Sequence, residues 1–118
     1  ENKSNLLLYE KWIKNNEFDL IASAKTKYPL LKSNEINDRF LSERYGSNIF
    51  LENIFFSTGT TFLCSGTTLL NTLSVYDQTY FRNNAIKTKE NNLDGSIFHA
   101  IERMFCIEAE KNKGICWV

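Results

Sequence analysis

The stretch NIFLENIFFSTGTTFLCSGTTLLNTLSVY, residues 48–76, decides the fold class. Asn48–Phe56 is rich in Ile and Phe and short enough for a strand. Ser57, Thr58 and Gly59 read as a turn, Thr60–Cys64 as a second strand, and Ser65–Gly66 as another turn. Thr67–Tyr76 alternates as a third strand, with Leu69, Leu73 and Val75 on one face and Thr68, Thr72 and Ser74 on the other. Gln78–Arg82 continues that strand or adds a fourth before Asn83–Asn84, and Ala85–Thr88 adds an edge strand. Strands joined by such short turns pair in order, as an antiparallel meander.

Helices flank this region. Ser4–Asn16 reads as a helix capped by Ser4, with Leu6, Leu8, Tyr9, Trp12 and Ile13 on its apolar arc. Phe18–Lys27 reads as a second short helix, broken before Pro29, and Ser33–Tyr45 as a third, capped by Ser33 and ended by Gly46. Downstream, Asn91–Gly95 is a polar loop. Ser96 then caps an amphipathic helix running to about Asn112, and Gly114–Val118 forms a last short strand. The pattern is α+β: N-terminal helices, a meander, and a C-terminal helix packed on the sheet. No linker divides residues 1–118, so they form one domain.

Composition agrees with one packed domain. The chain has 118 residues, 42% of them hydrophobic and 14% aromatic, which suffices for a single core. Fourteen Lys and Arg balance 14 Asp and Glu, which argues against nucleic-acid binding by bulk charge. No apolar run approaches the roughly 18–20 residues of a membrane-spanning helix, so membrane insertion is not expected.

Chemistry-bearing motifs are few. No P-loop, GxSxG, HExxH or GxGxxG is present. His99 falls on the polar side of the last helix, where a solvated histidine is the ordinary outcome. Glu108 falls within the apolar arc of that helix, where a carboxylate is expected either to hold a structural salt bridge or to be partly exposed near the helix end. Three cysteines, one histidine and no CxxC make a poor zinc set, and no cofactor is implied. Cys106 projects to the polar side, beside His99, Glu102, Arg103 and Glu110. A thiol there suggests a disulfide. Cys106–Cys116 is favoured because Gly114 allows the chain to reverse, with Cys64–Cys106 the other pairing. Tyr76, Asp77, Gln78, Tyr80, Phe81 and Arg82 form the richest interaction patch, since aromatics and Arg are enriched at binding hot spots. The charged face Glu35, Asp38, Arg39, Glu43 and Arg44 is a second candidate.

The opening ENKSNLLLYE (1–10) and the closing GICWV (114–118), within a small α+β chain rich in Asn and Lys, resemble the pesticin immunity family of bacteriocin immunity proteins. Glu1 in place of an initiator Met is what signal-peptide cleavage, or a trimmed chain, leaves. The resemblance implies a periplasmic protein that binds the activity domain of pesticin, a peptidoglycan-degrading muramidase. It implies an inhibitor and not an enzyme, made for protein–protein interaction. Tyr76, Asp77, Tyr80, Phe81 and Arg82 would then be the toxin-binding residues. A cation such as Arg82, Arg39 or Lys87 would face the acids of the muramidase cleft. The rival readings are an inhibitor of a different secreted toxin, a small hydrolase using Glu108 or His99, and a structural or adhesive module with Asn48–Phe56 as an exposed edge.

Overall fold

The computed structural model describes residues 3–88 and 97–118. Its order is α1 (Lys3–Lys14), β1 (Leu20–Ala22), β2 (Lys27–Pro29), α2 (Glu35–Tyr45), β3 (Phe55–Ser57), β4 (Phe62–Cys64), α3 (Gly66–Leu73), α4 (Gln78–Thr88), α5 (Ile97–Glu110) and β5 (Ile115–Trp117). The class is α+β, with the C-terminal helix packed on the sheet. The strands do not pair in sequence order. One sheet has the order β4-β1-β5, with β1 antiparallel to β4 and parallel to β5, and β2 pairs with β3 in a separate two-stranded ribbon.

Several elements differ from the sequence reading, each for a local reason. The run at 18–27 is not a helix. Leu20, Ile21 and Ala22 are all buried and form the central strand of the three-stranded sheet, which needs apolar residues on both faces. The expected strand at 67–76 is helix α3. Ser65 caps it by accepting the Thr68 N–H at 3.1 Å. Thr68 and Thr72, four residues apart, form its buried face, and Thr72 Oγ1 donates to the Thr68 carbonyl at 2.7 Å. Residues 78–88 are also helical rather than extended. Asp77 starts that helix by accepting the Tyr80 N–H at 2.7 Å. Asn48–Phe56 divides into a 3₁₀ segment, Ser47–Leu51, and the start of β3. Asn34, not Ser33, caps α2, its Oδ1 accepting from the Ile36 N–H at 2.9 Å. Ser4 lies inside α1 rather than ahead of it. The expected loop 91–95 and the Ser96 cap lie outside the described residues.

The centre of the molecule is α5. It touches α2, α3, α4, β3 and β5, and residues on every side of it are buried, from Ile97 and Met104 to Arg103 and Cys106. A helix buried over most of its circumference keeps only a narrow solvent-facing strip, which includes Phe98. This corrects the placement of Cys106 on a polar side: Cys106 is fully buried, and its Sγ accepts the Ser57 N–H of β3 at 3.4 Å.

The three cysteines are free thiols, so the expected Cys106–Cys116 disulfide is corrected. Strand alternation gives the reason. Leu20, Ala22, Phe62, Cys64, Ile115 and Trp117 belong to the core on the α5 side of the sheet. Cys116 is in register with Ile21 on β1, which is in register with Leu63, and these three occupy the opposite face. The sheet therefore stands between Cys116 and Cys106. Gly114 does reverse the chain, at φ 87°, with its N–H donating to the Ala109 carbonyl at 2.8 Å, but the reversal delivers β5 to the sheet edge.

Candidate functional site

The aromatic patch is assembled on α4 and the turn before it. Tyr76 and Tyr80 stack at 4.8 Å between ring centroids, and Phe81 meets Tyr76 edge-on at 5.7 Å. Tyr80 reaches across to Phe40 of α2 at 6.4 Å, and Phe81 lies parallel to Phe98 of α5 at 6.4 Å. Tyr76 O–H points at Met104 Sδ, 3.4 Å away. The three rings are thus half-buried and join α4 to its neighbours; only Phe98, 56% exposed, shows most of its surface. Burial raises the Tyr76 and Tyr80 phenols above the usual tyrosine range, so they remain neutral hydrogen-bonding groups at neutral pH.

The patch is not one face. Asp77 and Arg82 are exposed, but Arg82 lies two residues beyond Tyr80 and so about 200° round the helix from it. The exposed cation that α2 brings to the aromatics is Arg39. Its guanidinium stands over Phe40 at 5.1 Å, with Glu43 at 3.9 Å, and Phe40 in turn carries Tyr80. The two patches expected separately, Tyr76–Arg82 and the charged face of α2, therefore meet along the α2–α4 seam. The side chain of Lys87 lies outside the described residues.

Arg44, grouped with that charged face, is turned inward. Its guanidinium donates to the Thr72 carbonyl at 2.7 Å and to the Asn71 carbonyl, lies 3.4 Å from Glu108 Oε2, and covers Tyr76 at 5.5 Å. Tyr45 O–H donates to the same Glu108 oxygen at 2.6 Å, and Lys111 lies 3.7 Å away. Burial first, then the Glu108 hydrogen bond, pushes the Tyr45 phenol far up. Of the two outcomes expected for Glu108, the structure shows the salt bridge: Arg44, Lys111 and Tyr45 all engage its carboxylate. His99 offers its carbonyl to Arg103 Nη1 at 2.7 Å, while Glu102, its neighbour on the helix, is held by the Gly59 N–H and Thr60 O–H, each at 2.9 Å.

Two features had no sequence signal strong enough to name them. Asp19, 3% exposed, accepts from Ser65 Oγ at 3.0 Å and from the Lys113 N–H at 2.7 Å, tying β1 to the α3 cap and to the turn before β5. A groove of about 490 Å³ lies between α1 and the outer face of the sheet. Among the described residues no three His, Cys, Asp or Glu side chains gather as a metal set, and no helix is long and apolar enough to cross a membrane. Compared with protein-family models, with curated proteins and with solved structures, the chain matches none.

Proposed function

We propose that this chain is a bacteriocin immunity protein. It binds the activity domain of a peptidoglycan-degrading, lysozyme-like toxin of the pesticin type in the periplasm and blocks the toxin's cleft as a stoichiometric partner, not as an enzyme. The observation that carries this reading is the α2–α4 seam. There an exposed guanidinium, Arg39, stands over the Phe40 ring, which packs edge-on with Tyr80 beside Tyr76. A guanidinium over an aromatic ring is more weakly hydrated than an ammonium, which suits insertion against the paired carboxylates that glycoside cleavage needs. The ion pair of Arg39 with Glu43, at 3.9 Å, is loose and exposed, of the kind worth under about 1 kcal/mol. Arg39 can therefore exchange it for a buried partner at little cost.

The test is muramidase turnover of peptidoglycan by pesticin, titrated with this protein. The expected result is loss of activity near one equivalent, and a more than tenfold weaker inhibition by Arg39→Ala. Arg82→Ala, on the far side of α4, should matter less. Full turnover in the presence of excess folded protein would discard the pesticin assignment, and a capture experiment with other secreted toxins would then decide whether the inhibitor reading survives.

A further inference from the structure

We infer that the cleft along the N-terminal half of α2 belongs to the toxin-binding surface, with Lys32 as a second cation that meets a carboxylate of the toxin separately from Arg39. This extends the α2–α4 seam and rests on the immunity reading proposed for it.

The cleft follows from the helical repeat. Glu35, Asp38, Arg39 and Ser42 are three or four residues apart, so they share one stripe of α2. Residues 32–34, the chain entering the helix, complete the lining of a cleft of about 490 Å³. Asn34 fixes where that chain turns into the helix, its Oδ1 accepting the Ile36 N–H at 2.9 Å. Arg39 lines the cleft and also stands over Phe40 on the seam, so the two surfaces are continuous.

The lining carries two cations, Lys32 and Arg39, and two carboxylates, Glu35 and Asp38. Which of these charges are already engaged decides what the cleft can take. Glu35 and Asp38 lie in the first turn of α2, where the unpaired backbone N–H groups offset negative charge. Asp38 Oδ1 also accepts the Ser33 N–H at 3.4 Å. Among the described residues no carboxylate lies within ion-pair distance of the Lys32 ammonium. That ammonium stands 5.9 Å from the Phe50 ring centre, at the outer reach of a cation–π contact. Arg39 has only the loose pair with Glu43. The unmatched charge is therefore positive, and it sits at two points, over two different rings. A compact polyanion meets Glu35 and Asp38 in the same cleft and gains little from a lining of zero net charge. Two carboxylates borne apart on one protein surface can each meet one cation, and glycoside cleavage requires paired carboxylates of that kind.

The experiment is the titration of pesticin turnover on peptidoglycan, run with charge variants at low and at physiological salt. Lys32 is exposed, so its variants should keep the fold, which circular dichroism checks; Lys32→Gln replaces any that misfolds. Lys32→Ala should weaken inhibition about fivefold at low salt and reduce its salt dependence. Lys32→Glu should weaken it about a hundredfold, because a like charge then faces the toxin's acid. Lys25→Glu, the same reversal at an exposed lysine outside this cleft, should change it by less than about threefold. Inhibition by Lys32→Glu equal to the parent's, with Arg39→Ala impaired, overturns the role of Lys32 and leaves the immunity reading standing. Equal losses in Lys32→Glu and Lys25→Glu overturn it too, since they report net charge and not a site. No inhibition by the folded parent overturns both.

Discussion

Replacing Arg44 by Ala should destabilise this protein by uncoupling α2 from α3 and α5. The guanidinium joins three helices: it donates to the last turn of α3 at the Thr72 and Asn71 carbonyls, and it faces Glu108 of α5 at 3.4 Å. Arg44 and Glu108 side chains are only 13% and 11% exposed. Removing one member of such a pair strands the other, at about 3–5 kcal/mol for a fully buried case. Here Tyr45 O–H at 2.6 Å and Lys111 at 3.7 Å remain to solvate the carboxylate. That places the loss near the lower bound, about 3 kcal/mol, including the two carbonyl hydrogen bonds. For a chain of this size that is a fall in Tm of roughly 10–15 °C. Urea unfolding followed by tryptophan fluorescence measures it, with the slope of the transition unchanged. A double-mutant cycle with Glu108→Ala should return about 1–2 kcal/mol of coupling. Arg44→Ala within 1 kcal/mol of the parent, or a coupling of zero, would refute the claim that this clamp holds α2, α3 and α5 together.

Other consequences are simpler to state. The thiol count should be three after denaturation, with Cys106 inert to a thiol reagent in the native protein while Cys64 and Cys116 react; a native disulfide detected by mass spectrometry contradicts this. Burial pushes the Cys106 thiol up from 9.0 to about 12, so the folded state holds that proton more tightly. The stability so gained is complete below pH 9 and is lost as pH rises toward 12; Cys106→Ala should flatten this alkaline limb by up to about 1.4 kcal/mol per pH unit. Asp19→Ala leaves the Ser65 hydroxyl and the Lys113 N–H without their acceptor and should cost about 2–4 kcal/mol by chemical denaturation. Gly114→Ala meets no atom closer than Glu110 Oε1 at 3.9 Å, so its cost of about 1 kcal/mol should come from the φ of 87° alone. A variant as stable as the parent would remove that backbone argument.

The helices with unambiguous punctuation were legible. α2 ends at Gly46, where φ is 85°, and α5 carries a dense apolar pattern. The residues 67–76 were not, because Leu69 and Leu73 satisfy the strand period and the helix period equally. What separates the two is the Ser65 hydroxyl on the Thr68 N–H and the burial of Thr68 and Thr72 one turn apart, with Leu73 beside them against the core and Leu69 exposed. Leu20–Ala22 failed in the other direction: three apolar residues cannot be told from a helical turn until neighbours arrive on both sides. Of the candidate site, Tyr76, Tyr80 and Phe81 were named correctly as a cluster, but their turn inward and the approach of Arg39 depend on how α2 packs against α4.

Local chemistry in the chain was enough to determine the α+β class, the position of its strongest helices, the reversal at Gly114 and the place of Glu108 within an apolar arc. Each of these rests on residues within a few positions of one another. Only the tertiary structure decided that α5 is buried over most of its circumference, that Cys106 and Cys116 lie on opposite sides of one sheet, and that Arg44 is a clamp while Arg39 is a surface group. Those outcomes depend on which segments distant in sequence cover a given face, and a periodic pattern records that a face is apolar without recording what will cover it.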